Sequence, residues 1–338
     1  MAEISIITPT YNDFRTFKRC AKSLCNQNFQ DFEWIIVDDG SNKTYHNMLQ
    51  ELSKSDSRIT LLRNEGNKGT AYSRHLALKY CTSDYVTFLD SDDTLTKNAL
   101  TDIVNYIKRN DADVYITNSY LSIPKLRFKH EYYKSSDYQI SSIGECSGTD
   151  ALLAMLSMNG VTSVLWDKVF KRELLVKYVG DVPDVVIGED LIWLFRLLLH
   201  TKSVKFIGAY TYLWTYSGSG YKYYLLMWDE FASTMNKLCD EINISAIHNK
   251  NVLKRLGEAL VDNYLYQLRE SCVWRIIKKE SKTNIIGFIK QALQHKVLNL
   301  SMKENYKPEL ILDEAYRHIR CHRKSYLFSW VLNWIYGG

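Results

Sequence analysis

Tyr85-Val-Thr-Phe-Leu-Asp-Ser-Asp-Asp93 is the stretch on which the reading of this chain turns. Its first half is β-branched and aromatic, the composition of a buried strand. Its second half places carboxylates at Asp90, Asp92 and Asp93, where that strand must end. Like charges this close repel, most strongly where water is scarce. A divalent cation is the simplest compensation, because hard cations such as Mg²⁺ take one or two carboxylates together with substrate phosphates. Asp also caps helices, so the cluster reads either as a cation site or as a polar turn leading into a helix.

Outward from this stretch, strand and helix patterns alternate over the first 120 residues. Ile4 to Thr8, Phe32 to Val37, Ile59 to Leu62, Tyr85 to Leu89 and Val114 to Thr117 have strand composition. Phe14 to Cys25, Tyr45 to Leu52, Ala71 to Tyr80 and Leu95 to Lys108 have helical spacing. Such alternation predicts an α/β domain with a mostly parallel sheet covered on both faces. Ligands then bind outside the carboxyl ends of the strands. Three polar clusters, Thr8 to Asn12, Asp38 to Ser41 and Asp90 to Asp93, each follow a strand, so the architecture predicts that they converge at one edge. Tyr11-Asn12-Asp13 reads as turn and cap chemistry. Gly66-Asn-Lys-Gly69 lacks the Gly-x-Gly-x-x-Gly spacing of dinucleotide folds, and no Gly-Lys-Ser/Thr closes a phosphate loop.

The chain's 338 residues suit one large domain or two packed ones. Its seven cysteines include no Cys-x-x-Cys pair, which points to reduced thiols in a cytoplasmic protein. No signal-peptide pattern opens the sequence and no long uncharged apolar run is present; Leu191 to Leu199 carries Arg196 in its middle. The net charge of +5 is uneven: residues 251–338 hold 15 Lys/Arg against 8 Asp/Glu. A phosphate-rich surface or a solvated helix face accounts equally well for that basic quarter.

Thr8-Pro-Thr-Tyr-Asn12, Val37-Asp-Asp-Gly-Ser41, Asn67-Lys-Gly69 with Arg74, and Leu89-Asp-Ser-Asp-Asp93 stand in the order of family 2 glycosyltransferases. The chain resembles that inverting family, whose fold is GT-A. The match covers about the first 110 residues, and Gly188-Glu-Asp190 resembles the family's Glu-Asp motif. Trp166-Asp-Lys168 with Phe170-Lys-Arg172 is similar to a segment of bacterial surface-polysaccharide members. Departures are mild: Asn42-Lys43 stands where Thr-Asp is usual, and His75 where Asn is common after Arg74.

The resemblance implies roles residue by residue. Pro9 and Tyr11 line a nucleobase pocket, and Asp38 or, preferably, Asp39 accepts the N–H of a uracil-type base. Asn67, Gly69 and Arg74 belong to the donor site with Asp90 and Ser91. Asp92 is the expected direct ligand of Mn²⁺ or Mg²⁺, with Asp90 on the ribose or the metal and Asp93 as a helix cap. Asp190 is the expected base, and Glu189 binds acceptor or orients its loop; helix N-capping before Leu191 is the alternative. Trp166, Lys168, Trp214 and Tyr216 are candidate acceptor contacts, with Tyr212 a further candidate sugar platform. The donor is a nucleotide sugar, preferably UDP-linked, and the acceptor a glycan or lipid-linked glycan of capsule, O-antigen or exopolysaccharide.

The expected organisation is a GT-A catalytic domain over 1–220, with a nucleotide-sugar half at 1–120 and an acceptor half at 121–220, then a helical region over 221–338. Ser217-Gly-Ser-Gly220 reads as a lid or a linker. Near the C-terminus, Arg317, Arg320, Arg323 and Lys324 precede the aromatic stretch Tyr326 to Tyr336. That pattern suits either peripheral contact with the inner face of the membrane or a helix packed on the domain. Two rivals share parts of this reading: a sugar-1-phosphate nucleotidyltransferase and a non-catalytic sugar-nucleotide-binding protein. The first needs a Gly-rich basic signature where Thr8 to Asn12 stands. Nucleic acid is not an expected partner, since only the basic C-terminal quarter speaks for it.

Overall fold

The computed structural model describes residues 2–123, 128–133, 137, 144–185, 187–216, 227–244, 249–295, 297–298 and 307–321. The chain forms two compact units. One comprises Met1–Met155, Asn159–Asp184 and Glu189–Thr215; the other comprises Leu156–Met158, Val185–Gly188 and Tyr216–Gly338. The boundary expected at residue 220 and the Ser217 to Gly220 segment lie outside the described residues.

The first unit opens with β1 (Ile4–Thr10), α1 (Phe14–Cys25), β2 (Phe32–Asp38), α2 (Lys43–Ser55), β3 (Ile59–Arg63), α3 (Thr70–Leu78) and β4 (Tyr85–Phe88). These are the alternating elements read from the sequence, with ends moved by a few residues. Strand β1 runs parallel between β2 and β4, and its seven residues are all buried. Its polar members are paired as they are buried: Ser5 Oγ with Glu33, Thr8 Oγ1 with Trp34 Nε1 and Thr10 Oγ1 with Tyr45 Oη. One face packs on α1 and α2: Ile4, Ile6, Trp34 and Ile36 meet Phe17, Leu24, Tyr45 and Leu49. Phe17 stacks on Trp34 with ring centroids 5.9 Å apart. Truncating such a fully buried aromatic residue to Ala costs about 3–5 kcal/mol. The register pairs Thr10 with Asp38, which sets the ends of β1 and β2 side by side.

The chain continues through β5 (Thr94–Leu95), α4 (Ala99–Ile107), β6 (Val114–Ile123), β7 (Phe128–Tyr133), β8 (Glu145–Cys146), α5 (Gly148–Leu156), β9 (Lys168–Lys171), α6 (Arg172–Tyr178), α7 (Glu189–His200) and β10 (Val204–Thr215). The strand order is β3-β2-β1-β4-β9-β6-β10-β5, with β7 on β6 and β8 on β10. The α/β class holds, but the sheet is mixed rather than mostly parallel. Strands β1 to β4 and the pair β6/β10 are parallel. Strand β9 enters antiparallel between β4 and β6, and β5, β7 and β8 also pair antiparallel. Only four residues long and lysine-ended, β9 has too little alternation to be read as a central strand.

The helix expected from Leu95 begins instead at Ala99, because Thr94 and Leu95 pair with Leu213 and Tyr212 of β10. The second unit is helical among its described residues: α8 (Trp228–Ile244), α9 (Lys250–Ile277), α10 (Lys282–Ala292) and α11 (Pro308–Cys321). Leu268, Cys272, Ile285, Ile289, Leu312 and Ala315 form its core. Arg323, Lys324 and the Tyr326 to Tyr336 stretch lie outside the described residues. No helix among the described residues is long and apolar enough to cross a membrane.

Candidate active site

The loops after β1 and β2 are tied to each other. Asn12 takes a left-handed backbone, φ 51°, which Asn tolerates better than most residues. Its N–H donates to Ser41 Oγ at 3.0 Å, and its Oδ1 accepts from Asn42 N at 2.9 Å and Asn42 Nδ2 at 2.6 Å. Asn42 also caps α2, accepting from Tyr45 N at 3.0 Å. Asn42, where a different pair is usual, thus does both the capping and the loop locking.

Asp38 and Asp39 separate cleanly. Asp38 is fully buried and accepts from Ser41 N at 2.9 Å and pairs with His46 Nδ1 at 2.7 Å. It therefore shapes its own turn and does not face a ligand, which removes it from the expected base contacts. Asp39 Oδ1 accepts from Asn64 Nδ2 at 2.7 Å and Lys68 N at 2.8 Å, and Oδ2 accepts from Gly69 N at 2.9 Å. A carboxylate offers about four acceptor positions, so roughly one stays available on Oδ2. The Asn67–Gly69 loop is thereby folded onto Asp39. Gly40, at φ 76°, permits the approach: a Cβ there would lie 2.5 Å from Gly66 C. Pro9 is buried in β1, whereas Tyr11 is 49% exposed at the strand's end.

Arg74 on α3 joins two motifs that are distant in sequence. Its Nη2 donates to Asp90 Oδ1 at 2.8 Å and its Nη1 to Asp190 Oδ1 at 2.5 Å, with Glu189 Oε1 3.8 Å away. The guanidinium is buried; burial works against its charge, but Asp190, Asp90 and Glu189 outweigh it and raise its pKa. Asp190 sits at the start of α7, and its Oδ2 accepts from Leu165 N at 3.3 Å. Burial pushes the Asp190 carboxyl up to about 7; Arg74 opposes this, while Glu189 and Asp90 add to it. A carboxylate with that proton affinity is suited to general-base work near neutrality.

Residues Asp90 to Asp93 form a turn closed by Asp93 N donating to Asp90 O at 3.1 Å. Burial, then Asp90, raises Asp92 to about 6, with Asp13 adding to the repulsion. Ser91 Oγ donates to Asp13 Oδ2 at 3.3 Å. Asp13 makes no side-chain cap bond to α1, contrary to its expected capping role. It was not singled out from the sequence as part of the site, because a carboxylate before a helix has the ordinary look of a cap. Asp93 also departs from expectation. It is buried, accepting from Tyr212 Oη at 2.7 Å and Thr215 N at 2.6 Å, and caps no helix. Those bonds draw Thr94 and Leu95 onto β10 and delay α4.

Among the described residues no group of three or more His, Cys, Asp or Glu side chains is arranged to hold a metal ion. Mg²⁺-like ions do not need one, since they use one or two carboxylates with waters and phosphates. Asp92 and Asp90 fit that donor set: beyond burial, Asp90 and Asp13 both raise Asp92, so a cation there relieves repulsion already present.

The expected acceptor contacts divide. Lys168 is fully buried, its Nζ donating to Asp167 Oδ1 at 2.6 Å, Thr162 O at 2.9 Å and Val164 O at 2.8 Å. With every donor spent inward, it is a structural ion pair and not an acceptor contact. Trp166 is 7% exposed in the core and stacks on Tyr212 at 4.3 Å, which makes both rings packing elements. Trp214 and Tyr216 are half-buried.

Residues 5–157 match the model of the family described as Glycosyl transferase family 2. That stretch is a family 2 glycosyltransferase domain. The glycosyltransferase domain contains the loops after β1, β2 and β4 together with Arg74. Over 108 residues the chain is 37% identical to the UDP-Glc:alpha-D-GlcNAc-diphosphoundecaprenol beta-1,3-glucosyltransferase WfgD of Escherichia coli, covering 32% of this chain and 42% of that protein. Over 151 residues it is 34% identical to the poly(ribitol-phosphate) beta-N-acetylglucosaminyltransferase TarP of Staphylococcus aureus, covering 42% of this chain and 46% of that one. The chain thus spans less than half the length of these two relatives. The structure of S. aureus TarS residues 1–349 in complex with UDP-GlcNAc has the same fold: TM-score 0.63 and 19% identity, covering 96% of this chain and 92% of that one. The glycosyltransferase domain therefore has the GT-A architecture expected from its motifs.

Proposed function

We propose that this chain transfers a sugar from a UDP-sugar to a glycan or lipid-linked glycan acceptor, with inversion, in cell-surface polysaccharide synthesis. The observation that carries the reading is Arg74 bound at once to Asp90 and Asp190. One guanidinium thus sets the strand-end carboxylates beside a carboxyl whose proton affinity suits a base.

Asp39, with its remaining acceptor position, takes the N–H of the base, and exposed Tyr11 offers a flat face for it. Asp92 and Asp90 would hold a divalent cation, which supplies charge stabilisation for the diphosphate as it leaves. Asp190 takes the proton of the attacking acceptor hydroxyl. The new bond joins that oxygen to the anomeric carbon as the sugar–phosphate bond breaks and UDP departs with the electron pair. A single displacement inverts the anomeric centre, without the covalent intermediate of retaining enzymes. The bonds from Arg74 and the Leu165 N–H to Asp190 support this role, and Glu189, its chain neighbour, contacts acceptor.

The acceptor class is supported by the names of the two relatives, one acting on a diphosphoundecaprenol-linked sugar and one on a poly(ribitol-phosphate). The test is a panel of UDP- and GDP-sugars, each with Mn²⁺ or Mg²⁺, read by thermal stabilisation and by nucleotide release. A UDP-sugar is expected to raise the melting temperature and to be consumed when a lipid-linked glycan is supplied. Stabilisation by no nucleotide sugar with either metal would overturn the proposal.

A further inference from the structure

One hydroxyl touches both ends of the Asp90–Asp93 turn. Tyr212 Oη accepts from Asp90 N at 3.2 Å and donates to Asp93 Oδ2 at 2.7 Å. The turn's other closure is its own Asp93 N to Asp90 O bond. Asp93 Oδ1 is held in turn by Thr215 N at 2.6 Å, so the last residue of the turn is fastened to the end of β10. The Tyr212 ring is wholly buried and stacked on Trp166 at 4.3 Å, which fixes where the hydroxyl lies. Neither Tyr212 nor Asp93 is among the metal ligands expected from the sequence, where Tyr212 reads as a sugar platform and Asp93 as a helix cap.

From this geometry we infer that Tyr212 and Asp93 are positioning residues for the cation-binding turn, holding Asp90 and Asp92 in the spacing the cation requires. The inference rests on the metal reading given above. Arg74 balances Asp90 and Arg19 Nη2 donates to Asp92 O at 3.3 Å, but the far end of the turn, at Asp93, is held by neutral groups, the Tyr212 hydroxyl and the Thr215 N–H. A rigid tyrosine pinned by a stack, with one hydroxyl used once as acceptor and once as donor, does this without adding charge. Groups that orient metal-holding carboxylates typically change affinity 10–100-fold when removed.

The test is a Mn²⁺ titration of the full chain in the presence of UDP, with free Mn²⁺ read by electron paramagnetic resonance. Tyr212→Phe keeps the ring and its stack and removes only the hydroxyl. It is expected to weaken Mn²⁺ binding about tenfold while the chain still unfolds cooperatively. Thr96→Val is the control. Thr96 Oγ1 donates to Tyr210 O at 2.8 Å, so this variant loosens the same joint with β10 without touching the turn. It is expected to leave Mn²⁺ affinity unchanged. If Tyr212→Phe does not fold, Asp93→Asn carries the test. It keeps the volume and an acceptor for Thr215 N but sets an amide against the tyrosine hydroxyl, and a loss of the same sign is expected. Unaltered Mn²⁺ affinity in whichever of these variants folds, or an equal loss in Thr96→Val, overturns the positioning role alone. A wild-type chain that takes up no Mn²⁺ with UDP overturns the metal reading, and this inference with it.

Discussion

Arg74 and Asp190 lie 116 residues apart in sequence and 2.5 Å apart in space. The arginine comes from the helix that follows the Asn67–Gly69 loop, and the aspartate opens α7. Burial pulls Asp190 towards its neutral form, and the guanidinium pulls it back. The Asp190 carboxyl thus has a proton affinity set by opposed effects, one of which a single substitution removes.

A pH–rate profile should show this directly. A base works only when deprotonated, so activity is expected to fall as pH drops through about 7, where the Asp190 carboxyl titrates. The charged and titratable groups around it are Arg74, Glu189, Asp90 and the buried Lys168. Arg74→Gln removes the cation that favours the carboxylate, so the acidic limb should move to higher pH by about one unit or more, each unit being about 1.4 kcal/mol. Arg74→Lys should restore part of that shift. Asp190→Asn should abolish the limb together with nearly all turnover. A limb unmoved in Arg74→Gln would mean that the pair does not set the base.

Gly40→Ala tests the nucleotide side. The glycine has φ 76°, and an added Cβ would lie 2.5 Å from backbone carbon of Gly66, which cannot move aside as a side-chain tip could. Backbone strain and the clash together should cost about 1–3 kcal/mol of stability. The displaced loop should also release Lys68 N and Gly69 N from Asp39, weakening UDP binding. Chemical denaturation and calorimetric titration with UDP check the two effects separately.

The convergence of Thr8 to Asn12, Asp38 to Ser41 and Asp90 to Asp93 could be read in advance, because alternation of strand and helix dictates which ends meet. Helix α1 was equally readable: Phe17, Cys20, Ala21 and Leu24 recur at helical spacing and are the residues buried. The insertion of β9 was not, because antiparallel entry between two strands leaves no local mark on four residues. Nor was the inward turn of Asp93. Its partners, Tyr212 and Thr215, stand about 120 residues away, and a carboxylate beside two others looks like a ligand or a cap until a buried hydroxyl is found against it. Between Asp38 and Asp39 the motif favours Asp39, but the different N–H groups that surround each are set by the fold.

Lys168 is the plainest case of a polar residue whose burial the sequence hid, and its removal should be felt in stability rather than in acceptor binding. Lys168 and Asp167 are each 0% exposed and joined at 2.6 Å. Burial lowers the lysine's pKa and raises the aspartate's, so neither ion is comfortable without the other. Lys168→Met leaves Asp167 buried with Thr162 Oγ1 at 2.5 Å as its remaining side-chain donor. Breaking a buried pair from one side costs about 3–5 kcal/mol, whereas replacing both partners by apolar groups is often neutral. Lys168→Met should therefore destabilise strongly, and Asp167→Leu combined with Lys168→Met should recover much of the loss in urea unfolding. An acceptor contact would behave differently: the single variant would keep its stability and lose acceptor affinity, with a raised acceptor KM. Because the Lys168 ammonium spends its donors on Asp167, Thr162 and Val164, the expected outcome is the reverse, with the acceptor KM unchanged at temperatures where Lys168→Met is still folded.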